Sequence, residues 1–583
     1  MSKKNLIKSF IVNFMFLLLV LLFCDMKYEV SDDYMVDAVL SGAFGGGYDA
    51  HLLFSNILYG YFLKGLYSIT TSFSWYFICQ ILWCFLSLWA ITYVILQKND
   101  GRIGMAIACI LAAFVSDDLY ILVQFTKTAS VLVLAGGVLL LYGLWEKPRK
   151  KLSLLFGSLL FLLGSMIRFK CMWIGLGFLF VAFCRTWIRK KELPEIKKCV
   201  LQNFFICCAL VGIAIGLQAV NTWIWNQSAA YKNYLDTNAM RAEVTDVQSH
   251  EYASVAESAA ELGLDETDYN MIDWWNFLDR EIYDDDTMHA YAGIKKDAHK
   301  EYMSSAYNLL KAVWHRKYFT YTIVMGIAVL LILLAVLQKR KKLVCLVPDA
   351  VLTVGMLLYL ILAGHAMYRV EYSIFLCLAV NITLQFDTRD LEITAGRTKG
   401  ILITAAVLML CKLPLYVPDT SYKKMTDEEY SQYVTDVMFR SYDFNVKKYR
   451  CDLSHRRPQE NLIAQMETDD GHYYLLDFSS TIQRIYLNYK PWERISKGYW
   501  QKYYSYLGGV TFGYPTNDSC WEAQGIDAEN PYKTLIHDNL YVVDNRQYET
   551  KLAYLQKYYY SDVKQELVAT MDGFKIWKYS VGE

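Results

Sequence analysis

Long apolar runs recur along the chain as far as residue 417, separated by short polar loops. A transmembrane helix needs roughly 20 apolar residues, and by this measure we count about eleven spans. The pattern therefore predicts a polytopic α-helical membrane protein. The predicted spans cover residues 10–24, 75–96, 103–120, 129–145, 152–167, 172–188, 200–225, 319–337, 344–363, 372–386 and 401–417.

The loops between these runs alternate between basic and acidic. Basic loops follow the second, fourth and sixth runs and recur at residues 339–342 and 389–399. Because short loops rich in Lys and Arg stay in the cytoplasm, we place the amino terminus inside and residues after 417 outside. The first run has Lys3, Lys4 and Lys8 before it but no small-residue cleavage site after it, which predicts an uncleaved signal anchor.

The first external loop, residues 25–74, contains a second kind of pattern. Apolar side chains between Phe54 and Leu66 recur at the three-and-four spacing of one helical face. This spacing predicts a helix that lies in the membrane interface. Such a helix is either a wall of a site at the outer leaflet or a re-entry segment before the second span.

Two polar regions predict external domains. Residues 226–318 form a long, mostly helical excursion between spans, which is too long for a passive connector. Residues 418–583 alternate helical and strand-like stretches and predict a soluble α/β domain. We therefore divide the chain into a membrane module (1–225), the excursion, further transmembrane helices (319–417) and this C-terminal domain.

Composition narrows the class of protein. The 583-residue chain is 55% hydrophobic, and Lys plus Arg balance Asp plus Glu at 58 each. No basic domain is present, so the charge pattern gives no support to nucleic-acid binding. Most of the 14 cysteines lie in apolar runs, where free Cys acts as a small hydrophobe. Cys451 and Cys520, in the C-terminal domain, are equally consistent with one disulfide and with two free thiols.

Charged side chains that this topology brings to the outer face are the candidates for chemistry, because charges near the ends of spans usually face a cavity or a partner. Adjacent carboxylates tend to raise the pKa of one of them, which suits a general base. An acidic external loop is the simpler explanation of the Asp32–Asp33 pair. The candidates are Asp32 and Asp33 in the first external loop, Asp117 and Asp118 in the second, Arg168 and Lys170 in the third, and Arg369 with Glu371 further on.

The cationic candidates suit a phosphate group. Arg presents a fork of donors to phosphate oxygens and Lys a point charge, so Arg168, Lys170 and Arg369 form a predicted lipid-phosphate site. The alternative is that they merely reach the membrane surface. Positive charge on a side that is otherwise acidic favours the phosphate. Asp117 and Asp118 are equally consistent with a hydrated helix end and with an acid role or a divalent cation such as Mg²⁺ or Mn²⁺.

The order of these features resembles the GT-C superfamily of integral-membrane glycosyltransferases. The matching stretches are SDDYM at residues 31–35, the amphipathic stretch after Gly47, and SDDLY at residues 116–120. More narrowly, SDDYMVDAVLSGAFG, VQFTKTAS, GSMIRFK and the C-terminal domain look like a group of uncharacterised bacterial membrane proteins. The wider resemblance implies a sugar donor on a polyprenyl phosphate and transfer to an envelope glycan, lipid or protein. It also implies that Asp32 or Asp33 deprotonates the acceptor, while Arg168 and Lys170 stabilise the departing lipid phosphate.

Our leading hypothesis is thus a glycosyltransferase of the bacterial cytoplasmic membrane. It predicts that Asp33→Asn abolishes transfer while the protein still inserts. One rival is a transporter or flippase of lipid-linked sugars, although the internal halves common in transporters are not evident. The other is a non-enzymatic envelope protein, which would tolerate loss of all five residues Asp32, Asp33, Asp117, Asp118 and Arg168. No HExxH or GxSxG motif supports a protease or a serine hydrolase.

Overall fold

The computed structural model describes residues 3–43, 47–70, 72–99, 101–146, 148–191, 196–337, 341–388, 395–410, 424–439, 459–493 and 502–582. These residues are mostly helical. The helices of the first membrane part are α1 (Lys3–Phe23), α2 (Ser31–Ser41), α3 (Ile57–Ile69), α4 (Trp75–Lys98), α5 (Gly101–Tyr120), α6 (Phe125–Trp145), α7 (Lys151–Ile167), α8 (Phe169–Arg189) and α9 (Ile196–Trp225).

The excursion and the second membrane part continue the helical series. The excursion contains α10 (Ala229–Thr245), α11 (Ala256–Glu261), α12 (Glu266–Asp273), α13 (Asp285–Ser304) and α14 (Ala306–His315). The second membrane part contains α15 (Thr322–Leu337), α16 (Lys341–Val344), α17 (Val347–Leu362), α18 (Tyr368–Thr383) and α19 (Ala395–Leu410).

Seven helices in the described residues are long and apolar enough to cross a membrane. They are α1, α4, α5, α6, α8, α9 and the helical stretch Lys342–Leu362, and an eighth span results if the bent pair Ala306–Thr320 and Thr322–Leu337 counts as one. The prediction of a multi-pass helical protein is therefore confirmed. The count of eleven stays a prediction, because the remaining runs correspond to helices of 17, 16 and 16 residues.

Helix α6 is the centre of the bundle, and nearly all of its residues are buried. It packs closely on α7 because glycines face each other along the contact. A Cβ on Gly136 would lie 2.5 Å from the backbone nitrogen of Phe161, and a Cβ on Gly164 would lie 2.8 Å from the carbonyl oxygen of Ala129. Small residues allow this approach in membranes, where helix association depends on close packing.

The two ends of the bundle differ in charge. At one end, Lys98 donates to the carbonyl of Leu384 at 2.8 Å, Lys342 donates to the carbonyl of Gln385 at 3.0 Å, and Arg189 donates to the Gln385 side chain. Helix α4 runs from this end to the opposite one, where the Ser74 N–H donates to Trp492 of the C-terminal domain at 3.1 Å. Residues at three of the predicted basic loops, Lys98, Arg189 and Lys342, therefore meet at one end of the bundle, and the assignment of that end to the cytoplasm stays a prediction.

Short backbone pairing ties the loops at the C-terminal-domain end of the bundle. Strand β1 (Lys27–Tyr28), directly after α1, pairs in parallel with β2 (Leu122–Val123), directly after α5. Helix α2 begins three residues after β1 and is almost wholly buried. The pairing therefore brings α2 beside the start of α6, where the Phe125 N–H donates to Asp33 of α2 at 3.0 Å.

The C-terminal domain contains a five-stranded mixed sheet, which agrees with the predicted α/β arrangement. The strand order is β4-β3-β5-β7-β6, with β3 parallel to both β4 and β5, and with β7 antiparallel to β5 and β6. The elements are α20 (Asp427–Phe439), α21 (Glu460–Thr468), β3 (Tyr473–Asp477), α22 (Phe478–Asn488), β4 (Tyr504–Leu507), α23 (Pro515–Ala523), β5 (Leu540–Val543), α24 (Tyr548–Tyr558), β6 (Lys564–Met571) and β7 (Phe574–Ser580).

The excursion and the C-terminal domain share one hydrophobic core. Met240 and Tyr291 of the excursion pack in the same buried cluster as Leu475, Leu507 and Trp521 of the C-terminal domain. The two regions that the sequence separates therefore share one folded body, and its place outside the membrane stays a prediction. Cys520 accompanies this core and lies 3.4 Å from the Tyr473 hydroxyl, whereas Cys451 lies outside the described residues.

Candidate functional site

The adjacent aspartates Asp32 and Asp33 lie in the first turn of α2, and the helix turns them to different surroundings. Asp33 is fully buried. One of its oxygens, Oδ1, accepts hydrogen bonds from the Tyr76 hydroxyl at 2.8 Å, the Gln80 amide at 2.9 Å and the Phe125 backbone N–H at 3.0 Å. Burial raises the pKa of Asp33 well above its usual range, and these hydrogen bonds oppose the shift. Asp33 therefore joins α2 to α4 and α6.

Asp32 faces a cleft. Its side chain is 18% exposed, and its only ion-pair contact in the described residues is with the Arg369 guanidinium, 3.8 Å away. That distance is too long for a hydrogen bond. Asp32 is therefore the member of the pair whose carboxylate can reach a ligand.

Arg168 stands beside this pair at the junction of α7 and α8. Its guanidinium lies 4.7 Å from the Phe54 ring centre and 5.4 Å from the Phe125 ring centre. No hydrogen bond or ion pair to it occurs within the described part of the chain. Burial lowers the pKa of Arg168, the positive charge of Arg369 lowers it further, and Asp32 opposes both effects. The two guanidinium groups are thus within electrostatic reach of each other and of one carboxylate.

Lys170 and Glu371 lie outside this grouping. Lys170 is exposed at the start of α8 and forms no ion pair with any described residue. Glu371 is fully buried, where its carboxylate pairs with Arg316 at 2.6 Å and accepts hydrogen bonds from Tyr318 at 2.9 Å and Tyr321 at 3.1 Å. Of the predicted phosphate ligands, the structure brings Arg168 and Arg369 together and leaves Lys170 on the surface.

Asp117 and Asp118 are buried in the last turn of α5. One Asp118 oxygen lies 3.2 Å from the Lys127 ammonium, and the other accepts a hydrogen bond from Tyr368 at 2.8 Å. Lys127 also pairs with Glu29 at 2.7 Å. Because both aspartates are buried and Asp118 lies in this network, the structure argues against a hydrated helix end, which was one of the alternatives. Among the described residues, no three His, Cys, Asp or Glu side chains come together as a metal site.

The cleft beside Asp32 is built from three regions that are distant in sequence. The first external loop contributes His51 and Phe54, and the excursion contributes Tyr234. The C-terminal domain contributes a loop that contains Val510, Thr511 and Tyr514. The cleft is narrow, with a volume of about 20 Å³, which is room for about one water molecule. A substrate must widen it.

Sequence reasoning missed the residues that close this cleft. Asp49 accepts hydrogen bonds from the His51 imidazole at 2.7 Å, from Tyr231 of the excursion and from Tyr514 of the C-terminal domain. The available signal was the stretch YDAH at residues 48–51, in which a carboxylate and an imidazole lie two positions apart after the sequence GAFGGG. Their partners were not visible, because the aromatic residues lie far along the chain.

Asp37, one turn beyond Asp33, is a further buried carboxylate. It accepts hydrogen bonds from Tyr67 at 2.5 Å, Ser74 at 2.9 Å and Tyr28 at 3.2 Å. Burial raises the pKa of Asp37 to about 7, against the opposing effect of these hydrogen bonds. Asp37 thus holds α2 to α3 and to the start of α4, away from the cleft.

Comparison of the chain with family models, curated proteins and solved structures found no match.

Proposed function

We propose that this protein is a GT-C-type membrane glycosyltransferase. It transfers a sugar from a polyprenyl-phosphate-linked donor to a cell-envelope acceptor at the outer face of the bacterial cytoplasmic membrane. The observation that carries the proposal is the meeting of Arg168 and Arg369 with Asp32 beside a cleft. Each remaining step follows from the chemistry of these side chains.

The unused donor hydrogens of the two arginines favour an anion. The guanidinium groups of Arg168 and Arg369 lie near Asp32, and the Arg369–Asp32 distance of 3.8 Å leaves the donor hydrogens of Arg369 without a short contact there. Asp246 is within electrostatic reach of Arg168 but forms no ion pair with it. Arg is suited to phosphate because its fork of donors matches two phosphate oxygens. A phosphate between the two arginines would supply their donor hydrogens with acceptors that neither Asp32 nor Asp246 provides.

The neighbouring surface suits a lipid-linked donor. Helix α3 exposes Tyr61 at 47%, Phe62 at 45% and Ile69 at 78%, while Leu63 and Tyr67 on its other face are buried. Tyr61 and Phe62 belong to the apolar face that the sequence predicts, and an exposed apolar face of this kind suits a helix that lies along a bilayer surface. Phe54, just before α3, both lines the cleft and supports Arg168. A phosphate at Arg168 would therefore have its lipid chain close to the apolar face of α3.

In the proposed reaction the acceptor oxygen attacks the anomeric carbon of the sugar. The new glycosidic bond forms as the bond from that carbon to the phosphate oxygen breaks, and the electron pair leaves with the lipid phosphate. Arg168 and Arg369 stabilise the charge that develops on the phosphate. Asp32 accepts the proton of the acceptor hydroxyl. Asp33 holds α2, and thereby Asp32, in position.

The binding step can be tested with undecaprenyl phosphate as the probe. The full-length protein is placed in nanodiscs, and bound lipid is counted by native mass spectrometry. We expect Arg168→Ala and Arg369→Ala each to weaken binding about tenfold or more, which corresponds to the loss of a charge-assisted hydrogen bond. Arg102→Ala is the matched control, because Arg102 is an exposed arginine at the start of α5, away from Asp32. Equal binding by all variants would refute the phosphate site.

The chemical step needs a separate measurement. Vesicles that contain the protein are supplied with a radiolabelled polyprenyl-phosphate sugar, and label in envelope material is counted. We expect Asp32→Asn to abolish transfer and to retain lipid binding. If Asp32→Asn transfers sugar at the wild-type rate, the assignment of Asp32 as base fails. If the lipid is moved across the membrane without transfer, the protein is a flippase.

A further inference from the structure

Asp49 and His51 form an oriented pair at the wall of the cleft. Both the backbone N–H and Nδ1 of His51 donate to Oδ1 of Asp49, at 3.0 Å and 2.7 Å. Tyr231 and Tyr514 donate to the other oxygen, Oδ2. Burial alone would raise the pKa of Asp49, but these hydrogen bonds outweigh it and hold the pKa below its usual range. Asp49 is therefore an ionised carboxylate with its acceptor positions occupied.

This pairing determines the state of the imidazole. Because the ionised carboxylate can only accept, Nδ1 of His51 carries a hydrogen and is committed to Asp49, so Nε2 is the ring nitrogen that faces a ligand. Nε2 has no hydrogen-bond partner among the described residues. The ring plane is fixed by stacking on Tyr231, with centres 3.7 Å apart, and by an edge contact with Trp225 at 5.0 Å. The result is a polar ring nitrogen held in one orientation.

The same cleft contains the other features that a sugar requires. His51, Tyr234 and Tyr514 line it together with Asp32 and Phe54. Aromatic rings contact the C–H faces of sugars, and a few fixed polar atoms select the hydroxyl groups. The phenol groups of Tyr231 and Tyr514 are already committed to Asp49, which leaves Nε2 of His51 and the Asp32 carboxylate for a ligand.

We infer that His51, positioned by Asp49, binds a hydroxyl group of a carbohydrate acceptor in this cleft. The inference deepens the proposed function and rests on it in one respect, namely that the acceptor meets the donor beside Asp32. His51 is a positioning residue, and Asp32 keeps the role of base. The C-terminal domain is then part of the acceptor site, because Tyr514 both lines the cleft and fixes Asp49.

The cleft is too narrow for a sugar as it stands, and two hydrogen bonds hold one of its walls in place. Tyr234 donates to the carbonyl of Val510 at 2.8 Å, and Tyr514 donates to Asp49. These two bonds hold the loop 508–514 against the rest of the cleft. Gly508 and Gly513 bound this loop with φ angles of 100° and 69°, which only glycine adopts readily.

Saturation-transfer NMR on the full-length protein in nanodiscs tests the inference. The probes are the methyl glycosides of glucose, galactose, mannose and N-acetylglucosamine. We expect at least one to bind the wild type and to lose about tenfold in affinity in His51→Ala, as for one fixed hydrogen bond. Asp49→Asn, which keeps the side-chain volume, should also lower the affinity for that glycoside. His472→Ala is the matched control, because His472 forms a similar pair with Asp469 at 2.9 Å outside the cleft.

The possible outcomes separate this inference from the proposed function. If no glycoside binds, if both His51→Ala and Asp49→Asn keep wild-type affinity, or if only His472→Ala loses it, the acceptor site is wrong. Undecaprenyl phosphate binding should be unchanged in His51→Ala. If that lipid fails to bind the wild type while the glycoside still depends on His51, the sugar site stands and the transferase proposal falls.

Discussion

The neighbours Asp32 and Asp33 illustrate how much one helical step changes a side chain. Three donors converge on Oδ1 of Asp33, whereas Asp32 has one distant cation. We expect Asp33→Ala to lower the free energy of unfolding by about 3 kcal/mol, because buried donors lose their acceptor. Asp32→Asn should leave stability unchanged. Thermal unfolding of both variants in detergent measures the difference. Equal melting temperatures would contradict a structural role for Asp33 that Asp32 does not share.

The buried carboxyl of Asp37 predicts a pH dependence of stability. Its pKa of about 7 in the folded protein lies above the usual aspartate value of 3.8. Between these values the folded state holds a proton that the unfolded state has released, so stability falls as pH rises. We expect the melting temperature of the wild type to decrease from pH 5 to pH 8, and Asp37→Asn to remove part of that decrease. Glu146→Gln, in a partly exposed loop, serves as the control and should change nothing.

Among the elements, the bent pair at the start of the second membrane part depends on one buried cluster. Segments Ala306–Thr320 and Thr322–Leu337 meet at 74°, and Arg316 and Tyr318, in the residues leading to that bend, contact Glu371 of α18. A bend of this size needs a specific cause. Here the pairing of Arg316 with Glu371 anchors the chain where it turns from the interface into the bundle.

Removing one partner of that pair should be costly. We expect Glu371→Ala to lower the free energy of unfolding by about 4 kcal/mol, because it leaves Arg316 buried without its carboxylate. The double variant Arg316→Met with Glu371→Leu should recover much of the loss. Asp285→Asn is the control, since Asp285 pairs with Arg280 but is 68% exposed. If the double variant is no more stable than Glu371→Ala, the pairing is not the cause.

The elements also show what sequence alone can predict. Apolar runs identified helices at every predicted span, because hydrophobic length is a local property. The partners of Asp118, by contrast, could not be predicted from the residues next to it in sequence. Its partner Lys127 lies nine residues further on, but β2 and the start of α6 separate them, so only the folded turn brings them together. Glu29 is even further from Lys127 in sequence.

For the molecule as a whole, the position of the C-terminal domain was the least predictable feature. The pattern of strands and helices identified the domain, but neither its shared core with the excursion nor its part in the cleft has a sequence signal. Asp49 has partners 182 and 465 residues away. Contacts of that kind depend on the shapes of both surfaces, and the hydrophobic pattern of a sequence does not contain that information.

Docking of this domain on the cleft can be measured directly. We expect Tyr514→Phe to increase amide hydrogen exchange in residues 508–514 about fivefold or more, because the loop loses one of its two tethers, a hydrogen bond to a charged group. Tyr541→Phe, in the same domain but away from the cleft, is the control. Unchanged exchange in Tyr514→Phe would show that the bond to Asp49 does not hold the loop.

The contact between Asp49 and Tyr514 also implies a delay during biosynthesis, because the ribosome makes these two residues at different times. A ribosome that adds 5 to 20 residues per second needs about 25 to 90 seconds to travel the 465 residues between them. During that interval most of the bundle has been inserted while the cleft still lacks its last wall. A chain that stops early would thus possess a complete anchor and an unfinished site, and a cell would have ample time to recognise and degrade it.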